Sequence, residues 1–496
     1  MKIFKYFMYF LLTGAFLVSC SEDDGIEPNP KPEGPEPTGN LELEIKDFVW
    51  KGMNEIYVYK DQVVVLGDDY FATQAELNEY LEEWDTPEDL FYDGVTIEED
   101  RFSFITDDYI ALENSFSGIS ETTGVDFRLY RFSNSDNLFG VVRYIIPGSP
   151  AENEDIERGD LFRRLNGQEI TISNYREILA SSSITFEIAE LIDNTVTPTG
   201  ESVTIGTQTI TENPILVSKV LDVNGSPVGY LMYNSFVADF DEELNAAFAE
   251  FKASNVTDLI IDLRYNGGGS VRTATRLASM ITGQFTNELF AKQQWNTKYQ
   301  NYFLENNPDR LFNRFTDNID DQPLNSLNLT KVYAIVSSSS ASASELVING
   351  LAPYIDVVKI GDMTVGKSQA SVTLYDSPNF GRENANPEHK YAIQPLVYES
   401  VNANDVGVPF NGLTPDIEIT EDIGNLGVLG ELSDPLLATA IEAVKGNRSV
   451  IGIEKQPDWY NEYKESGALS PTYQRMYTDE IPEIPGQKRR LQLEKE

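Results

Sequence analysis

A run of alternating serines and alanines is the stretch of the sequence best suited to nucleophilic chemistry. Residues 340–345 read Ser-Ala-Ser-Ala-Ser-Glu and follow the apolar pattern of a buried strand at 331–336. A serine placed where a strand ends and a helix begins exposes its hydroxyl, and the N-terminus of the helix favours negative charge that develops nearby. Serines also cap helices without any catalytic use, so the run alone does not establish a site.

Two further stretches carry residue types that serve the same chemistry. Residues 365–368 read Val-Gly-Lys-Ser after another predicted strand, and Lys367 lies 25 residues beyond Ser342, the central serine of the run. Upstream, residues 262–269 read Asp-Leu-Arg-Tyr-Asn-Gly-Gly-Gly at the end of the buried-strand pattern 256–263. A surface lysine and a tight strand-to-helix turn are the ordinary structural alternatives for these two stretches.

Residues 116–205 read as short strands and turns, and the spacing of the turns is similar to that of a PDZ domain. The motifs are Thr-Gly-Val-Asp-Phe at 123–127, Pro-Gly-Ser-Pro-Ala at 147–151, Arg-Gly-Asp-Leu at 158–161 and Leu-Asn-Gly at 165–167. PDZ domains add a peptide as an extra strand and hold its terminal carboxylate with backbone N–H groups. The resemblance places the peptide-binding loop at Gly124, Val125, Asp126 and Phe127. The charge of Asp126 would repel a carboxylate if it pointed inward, and a generic β-rich domain is the alternative.

The serine run, the lysine motif, the glycine stretch and the PDZ-like segment together resemble the S41 family of serine peptidases, the C-terminal processing peptidases. The resemblance covers roughly residues 116–430. It implies a multidomain fold of mixed α/β and β structure, with a small helical N-terminal cap, a PDZ-like β domain and an α/β core related to the crotonase fold. The family's nucleophile corresponds to Ser342, its general base to Lys367 and its glycine loop to residues 262–269.

The chemistry of a Ser-Lys pair agrees with this assignment. A serine hydroxyl needs a nearby base, and a lysine acts as one only in its neutral form, which burial favours. Lys367 would take the proton of Ser342, which attacks the peptide carbonyl and forms an acyl-enzyme. Backbone N–H groups of Ala343 and of Gly268 or Gly269 would hold the oxyanion, each such donor contributing about 2.7–4 kcal/mol. The sequence does not separate the two glycines.

The sequence departs from the family at the residue that helps to orient the lysine. Members often carry a glutamine four residues after the lysine, where this chain has Ser371, and Gln369 lies two residues earlier. Either side chain would accept a hydrogen bond from Lys367, so both are candidate orienters. Some relatives use a Ser-His arrangement, but His389, the single histidine, lies in a polar, turn-like stretch outside any matching motif. We predict a surface or rim position for it.

The remaining chain supplies the elements that position these residues. Helical spacing over 41–115 predicts a small cap, and alternating strands and helices over 206–450 predict a largely parallel α/β core. Residues 284–328, rich in Asn, Gln and Phe, predict a lid or an insertion. The polar, proline-punctuated stretch 451–496 predicts a peripheral C-terminal tail.

The N-terminus has the pattern of a bacterial lipoprotein signal. Residues 1–19 combine two early lysines with an apolar stretch too short for a comfortable membrane span, and Cys20, the single cysteine, follows Leu-Val-Ser. This resembles the lipobox, whose lipidated cysteine anchors the protein, and residues 20–40 predict an acidic, proline-rich tether. We expect a lipoprotein of a Gram-negative outer membrane, and the acidic residues after Cys20 favour its outer face. The alternatives are an uncleaved anchor and an ordinary signal peptide with an incidental cysteine.

The composition excludes several other functions. Thirty-seven basic against 80 acidic residues give a formal charge of −43, so there is no basic excess to bind DNA or RNA phosphates. One cysteine excludes internal disulfides, and the sequence holds no phosphate-binding loop, dinucleotide motif or metal-ligand cluster. We therefore expect no cofactor and no nucleic-acid partner.

These patterns predict a lipid-anchored serine endopeptidase whose PDZ-like domain engages the C-termini of protein or peptide substrates or gates the site. A second hypothesis is a peptide-binding scaffold with the same fold and little hydrolysis, which the missing glutamine and Asp126 favour. A third is another hydrolase or an acyl transferase that uses the same serine.

Overall fold

The computed structural model describes residues 40–447, 458–470 and 472–478 of the chain. The predicted signal peptide, Cys20 and residues 20–39 of the predicted tether lie outside these described residues. Within the described ranges, no helix is both long and apolar enough to cross a membrane.

The N-terminal region is a helical cap, in agreement with the spacing of its apolar residues. Its elements are α1 (Leu41–Ile56), α2 (Gln74–Glu82), α3 (Pro87–Asp89), β1 (Phe104–Thr106) and α4 (Tyr109–Phe116). The Asn40 side chain accepts a hydrogen bond from the Leu43 N–H (3.3 Å) and so satisfies a free donor in the first turn of α1. Phe48, Met53 and Tyr57, on the predicted apolar face, are buried.

Residues 116–205, hereafter the middle domain, form an antiparallel sheet with one short helix. The elements are β2 (Ile119–Thr122), β3 (Val125–Phe132), β4 (Leu138–Ile145), β5 (Leu161–Leu165), β6 (Gln168–Glu169), α5 (Tyr175–Leu179), β7 (Ser183–Ile192) and β8 (Thr195–Gly206), and β9 (Gln208–Thr211) pairs with β2. A strand from near the C-terminus, β25 (Tyr460–Glu465), comes first in the sheet order β25-β3-β4-β5-β7-β8.

A six-stranded, largely parallel sheet forms the centre of the core, as the alternation of strands and helices predicted. Its elements are β10 (Ile215–Val223), β11 (Ser226–Tyr233), α6 (Asp241–Ala253), β12 (Asp258–Asp262), α7 (Val271–Thr282), β18 (Lys331–Val336), α9 (Ala343–Leu351), β19 (Asp356–Gly361), β24 (Ile417–Glu418) and α10 (Pro435–Val444). The sheet order is β10-β11-β12-β18-β19-β24, with parallel pairing from β11 onward. Asn224 and Gly225, a pair typical of hairpin turns, connect β10 and β11, and both have positive φ.

A second six-stranded sheet holds the strands that leave the glycine stretch and the lysine motif. Its strands and their neighbours are β13 (Gly269–Ser270), β14 (Leu289–Trp295), α8 (Thr297–Asn306), β15 (Phe312–Arg314), β16 (Asn318–Ile319), β17 (Gln322–Pro323), β20 (Gln369–Ser371), β21 (Leu374–Tyr375), β22 (Ala392–Gln394), β23 (Leu396–Asn402) and β26 (Met476–Tyr477). The sheet order is β13-β26-β20-β23-β14-β15, while β21 and β22 join β1 in a small separate sheet. The prediction of a lid at 284–328 is wrong, because β14 and β15 belong to this sheet and Phe290 and Tyr299 are fully buried.

The prediction of a peripheral tail is wrong for its described part, residues 458–470 and 472–478, hereafter the C-terminal segment. β25 pairs antiparallel with β3, and β26 lies between β13 and β20. Tyr460 and Tyr477 are buried, and Met476 is fully buried. Two short strands that join separate sheets leave no continuous apolar pattern in the sequence, so this part of the chain looks like a polar tail.

Candidate active site

Ser342 lies at the junction of β18 and α9, where the serine run predicted a hydroxyl at a helix start. Its backbone has φ +64° and ψ −111°, a conformation that strains a residue with a side chain. The residue is fully buried rather than exposed, and its Oγ has no hydrogen-bond partner among the described residues. The backbone thus fixes the hydroxyl in a buried position at the N-cap of α9, without a hydrogen bond that commits it to another described group.

Lys367 is also fully buried, just before β20. Its Nζ has no hydrogen-bond partner within the described part of the chain and lies 4.8 Å from the centroid of the Phe102 ring. Burial lowers the pKa of this amine well below its ordinary value, and the charge of Arg475 lowers it further, while Asp100 and Glu345 act in the opposite direction. The amine is therefore neutral over a wider pH range than that of a surface lysine.

Glu345 ties the serine and lysine segments together. Its Oε2 accepts the N–H of Ser342 (2.8 Å) and the N–H of Lys367 (2.9 Å), so these two nitrogens lie no more than 5.7 Å apart. Its Oε1 accepts the Gly366 N–H (2.7 Å) and the Thr364 hydroxyl (2.5 Å). Burial raises the pKa of this carboxyl, and these hydrogen bonds act against the rise. The glutamate that ends the serine run therefore fixes the spacing of the two segments.

The glycine stretch lies directly beside Ser342. An ideal Cβ added to Gly268 would lie 2.7 Å from the Cβ of Ser342, and the φ of Gly268 is +112°, so only glycine allows this approach. The N–H of Gly268 donates to Oδ1 of Asn266 (2.8 Å). The sequence left both Gly268 and Gly269 open as oxyanion donors. The N–H of Gly268 is already used in the hydrogen bond to Asn266.

The backbone N–H and C=O of Gly269 point away from Phe236, which lies on one side of β13, and towards β26 on the other side. The carbonyl of Gly268 accepts the Phe236 N–H (2.9 Å), and the Ser270 N–H donates to the Phe236 carbonyl (2.8 Å). In parallel pairing these two bonds bracket Gly269, whose own N–H and C=O then face the neighbour on the opposite edge, β26. This geometry favours Gly269 over Gly268 as an oxyanion donor. Ala343 is the first residue of α9, where opening N–H groups have no partner within the helix.

A fully buried arginine supports the strand that leads into the glycine stretch. Nη2 of Arg264 lies 2.6 Å from Oδ2 of Asp262 and 2.9 Å from Oδ2 of Asp434, and Nη1 lies 3.2 Å from Oε1 of Glu421. Burial by itself would raise the pKa of Glu421, but Arg158 and Arg264 lower it to about 2. The Asp-Leu-Arg part of the motif is thus an ion-pair network that fixes the loop.

Neither candidate orienter contacts the lysine. Ser371 donates from Oγ to the carbonyl of Met476 (3.1 Å), and Gln369 donates from Nε2 to Oε1 of Glu399 (3.3 Å). Both side chains are used for contacts of β20 with neighbouring strands. The prediction of Ser371 or Gln369 as the orienter is therefore wrong, and the ring of Phe102, from the helical cap, lies against the amine instead.

His389 lies in a turn, where a surface or rim position was predicted, and its side chain is turned inward. Its Nε2 lies 3.0 Å from Oδ2 of Asp376, and its Nδ1 accepts the Tyr391 N–H (3.0 Å). Its side chain is only 6% exposed, because the turn folds the ring against the carboxylate. Both ring nitrogens are thus occupied within the turn.

The loop predicted to bind peptides, 124–127, is engaged by the C-terminal segment. Its first two N–H groups donate to neighbouring threonine hydroxyls, and the Phe127 N–H donates to Oγ of Ser466 (3.4 Å). Asp126 is paired with Arg143, with Oδ1 2.6 Å from Nε. The charge of Asp126 is therefore compensated within the domain.

Phe102 and Arg475 were not identified as site residues from the sequence. The ring of Phe102 lies against the amine of Lys367, and the charge of Arg475 lowers the pKa of that amine. The Arg475 Nη1 donates to the carbonyl of Phe102, which ties the C-terminal segment to the cap. Neither residue lies in a motif, and each is more than 100 residues from Lys367 along the chain. No local signal in the sequence could have brought them together.

Comparison with known sequences gives two matches to the same family. Residues 227–419 match the profile of peptidase family S41, and residues 44–104 match that of the peptidase S41 N-terminal domain. The carboxyl-terminal-processing protease of Picosynechococcus is 23% identical over 351 residues, which are 70% of this chain and 76% of that protein. The chloroplastic C-terminal processing peptidase of Tetradesmus obliquus is 24% identical over 309 residues, 59% of this chain and 60% of that protein.

Solved structures show the same architecture. The chain is similar to a crystal structure described as an S41 protease of Bacteroides fragilis, with a TM-score of 0.62 and 26% identity over 80% of this chain and 97% of that one. It also shares the fold of a photosystem II D1 C-terminal processing protease, with a TM-score of 0.50 and 17% identity over 82% of this chain and 99% of that one. With both family profiles matched along one chain, in the order cap then core, this protein belongs to peptidase family S41 and is a serine-type peptidase.

Proposed function

We propose that this peptidase hydrolyses bonds within protein substrates through an acyl-enzyme on Ser342, with Lys367 as the general base. The observation that carries the proposal is a pair of uncommitted groups. Ser342 Oγ and Lys367 Nζ are both fully buried, and neither has a hydrogen-bond partner among the described residues. Buried polar atoms normally find partners, so two such atoms on segments joined by Glu345 favour a functional use.

The proposed reaction follows from the positions of these groups. The neutral amine of Lys367 takes the proton of Ser342 while the serine oxygen attacks the substrate carbonyl. The N–H groups of Gly269 and Ala343 stabilise the tetrahedral oxyanion. The lysine then gives its proton to the leaving amine, and a water molecule activated by the same base hydrolyses the acyl-enzyme.

The middle domain is proposed to be PDZ-like and to bind peptide substrates along β3. The pairing of β25 with β3 supports this role, since it is the way in which such domains take up a strand. Because Asp126 is paired with Arg143, its negative charge is neutralised and does not repel the terminal carboxylate of a peptide. We expect protein substrates to enter with their C-terminal residues in this groove.

The direct test uses residues 41–496 with Ser342→Ala and Lys367→Ala, and with Ser226→Ala and Lys390→Ala as controls on exposed positions. Each protein is incubated with an unfolded protein that has an apolar C-terminus, and fragments are identified by mass spectrometry. We expect cleavage by the parent and both controls and none by the Ser342 and Lys367 variants. Unchanged cleavage by Ser342→Ala would refute the mechanism.

The closed state of the site favours a second candidate, a peptide-binding scaffold with little hydrolysis. Ser342 and Lys367 have no exposed surface while the C-terminal segment is in place. This candidate predicts that the parent binds peptide C-termini, measured by fluorescence anisotropy, and cleaves none of them. Turnover that depends on Ser342 would exclude it.

We also propose that Cys20 is lipidated and anchors the protein to the outer membrane of a Gram-negative bacterium, on the basis of the lipobox-like sequence. Cys20→Ala should move the protein from the membrane fraction to the soluble fraction and abolish labelling with palmitate. Cys20→Ser, which keeps the size of the side chain, should do the same. Membrane association that survives both substitutions would contradict this proposal.

A further inference from the structure

The C-terminal segment lies in the groove of the middle domain as a bound peptide would. β25 pairs antiparallel with β3, with Tyr460 opposite Phe132 and Glu465 opposite Arg128. Tyr463 packs edge-on against Tyr175 of α5, with ring centroids 5.7 Å apart. The segment therefore fills the space between β3 and α5, and an outside peptide can enter only when it leaves.

A buried ion-pair cluster fixes the end of this strand. Oε1 of Glu465 lies 2.7 Å from Nη2 of Arg128, and Oε2 lies 2.7 Å from Nη1 of Arg143. Burial alone would raise the pKa of Glu465, but Arg143 and Arg128 lower it to about 2. Glu465 also accepts a hydrogen bond from Ser339 (2.8 Å), three residues before Ser342. The groove and the serine loop thus hold the same side chain.

The segment then continues into the active site as a strand. Met476 and Tyr477 of β26 pair in parallel with Gly269 and Ser270, and Tyr477 also pairs in parallel with Ser371 of β20. β26 therefore lies between β13, which leaves the glycine stretch, and β20, which follows Lys367. An extended substrate chain would need this same position.

The carbonyl group of Arg475 lies where a scissile carbonyl is required. The backbone groups of Gly269 face β26, and the parallel register with Met476 directs the Gly269 N–H to the carbonyl of Arg475. An ideal Cβ on Gly268 would lie 2.6 Å from that carbonyl oxygen and 2.7 Å from the Cβ of Ser342. The oxygen is therefore no more than 5.3 Å from the Ser342 Cβ, beside the proposed oxyanion donor.

The side chain of Arg475 acts on the base. Its guanidinium lies 4.4 Å from the centroid of the Phe104 ring, and burial lowers its own pKa to about 10. Its charge is the second cause, after burial, that keeps the pKa of Lys367 low. The bound segment thus favours the neutral amine that proton transfer from Ser342 needs.

We propose that the chain is its own substrate and hydrolyses the Arg475–Met476 bond within the same molecule. This inference rests on the proposed function of Ser342 and Lys367. Ser342 Oγ bonds to the carbonyl carbon of Arg475 and gives its proton to Lys367. The bond from that carbon to the Met476 nitrogen breaks, and the nitrogen takes the proton from the lysine. Water then hydrolyses the ester, freeing Ser342 and leaving a chain that ends at Arg475.

The test follows the intact mass of purified residues 41–496 over time, alongside Ser342→Ala. We expect the parent to lose residues 476–496 at a rate independent of protein concentration, while Ser342→Ala keeps its full mass. Ser342→Ala mixed with the parent should also stay intact, because its segment is buried in its own molecule. The processed chain, isolated as it forms, should cleave an unfolded protein faster than the unprocessed chain does.

A matched pair of variants tests the role of the groove. Glu465→Gln should slow processing about tenfold or more, because it removes the charge that both buried arginines pair with. Asn461→Ala, at an exposed position on the same strand and outside this ion-pair cluster, should change the rate less than twofold. Equal rates for the two variants would show that docking in the groove does not present the bond.

Three results would overturn the proposal. A parent that cleaves an unfolded protein but keeps its own full mass would refute self-processing and leave the proposed function standing. Loss of a different set of residues, or cleavage of Ser342→Ala by the parent, would refute the assigned bond or the intramolecular route. A parent that cleaves neither itself nor another protein would refute both this inference and the proposed function.

Discussion

At Ser342 the backbone conformation and the proposed chemistry are coupled. A residue with a side chain at φ +64° and ψ −111° stores on the order of 1–3 kcal/mol of strain, which the surrounding structure must offset. Gly268 lies close to Ser342 on one side, and Glu345 accepts the Ser342 N–H on the other. These two contacts hold the backbone of Ser342 in its strained conformation. The strain is the cost of presenting the hydroxyl at this point.

This strain predicts different stabilities for two inactive variants. Ser342→Gly removes the side-chain penalty for positive φ, whereas Ser342→Ala keeps it. We expect Ser342→Gly to be the more stable of the two by about 1–3 kcal/mol, measured by urea unfolding. A control comparison at Ser226, which is exposed and has no positive φ, should favour alanine or show no difference. The reverse order at Ser342 would mean that its backbone is not strained.

The buried amine of Lys367 predicts a gain of stability on its removal. The pKa of this amine is lower in the folded chain than in the unfolded chain, so between the two pKa values the unfolded state binds more protons and stability rises with pH up to about 10.4. Lys367→Met should therefore unfold at higher urea concentration than the parent at pH 7, and the difference should shrink towards pH 10.

The same variant should lose activity by about 10²–10⁴-fold, the usual contribution of a general base. The activity of the parent should fall as the pH drops through the lowered pKa of Lys367, since only the neutral amine takes a proton. Lys390→Met, whose side chain is 57% exposed, should change neither property appreciably. A Lys367→Met protein that is less stable than the parent at pH 7 would mean that the lysine is charged in the folded state.

The residue types of the site were predictable, while their partners were not. Ser342, Lys367 and the glycine stretch could be singled out because each stands in a local motif next to a predicted strand. Burial and the charge of Arg475 lower the pKa of Lys367, and the ring of Phe102 lies against its amine. Phe102 and Arg475 lie in other parts of the chain and in no motif. Such contacts depend on how the cap and the C-terminal segment fold onto the core.

At the scale of elements, the core strands and helices followed from their patterns of apolar residues. The inner residues of β12 (259–261) and of β18 (332–336) are continuous apolar runs, as strands buried on both faces of a parallel sheet must be. β25 and β26 were missed for the opposite reason. β25 has the sequence Tyr-Asn-Glu-Tyr-Lys-Glu, and only its first residue is both aromatic and buried. β26 is only two residues long.

The loop between β12 and α7 depends on the buried cluster around Arg264. Arg264→Met would leave Asp262 and Asp434 as buried carboxylates without their cation. Breaking a buried pair in this way costs about 3–5 kcal/mol, and we expect that loss in the free energy of unfolding together with a loss of activity. Arg314→Met, on an exposed pair with Asp309, should change stability by less than about 1 kcal/mol. Equal stabilities for the two variants would refute the supporting role of the cluster.

At the scale of the whole molecule, Arg128 and Arg143 connect the middle domain to the serine loop. Arg128 donates to the Ser338 hydroxyl (2.7 Å) and pairs with Glu465, while Arg143 pairs with Asp126 and Glu465. The middle domain, the C-terminal segment and the loop before Ser342 therefore share one set of charges. We therefore expect loss of an ion pair in the groove to alter the loop that precedes Ser342.

This shared cluster predicts a coupled loss of protection from hydrogen exchange. Arg143→Met would leave the buried Asp126 without its cation and Glu465 with Arg128 alone, so we expect faster exchange in residues 460–465 and in residues 337–340 together. Helix α8, which packs on β14 and pairs with Glu55 of the cap, should keep its protection and serves as the internal control. Faster exchange in only one of the two segments would show that they are not coupled.

The place of β26 in the second sheet also limits what the enzyme can digest. Adjacent strands lie about 4.8 Å apart, so the edges of β13 and β20 face each other across a slot roughly 9.5 Å wide when β26 is absent. A helix, with a diameter of about 10–12 Å with its side chains, does not enter such a slot and cannot pair with its edges. A single extended chain does both. Under the proposed function, the width of one missing strand therefore lets only extended, unfolded polypeptide reach Ser342 and excludes folded proteins.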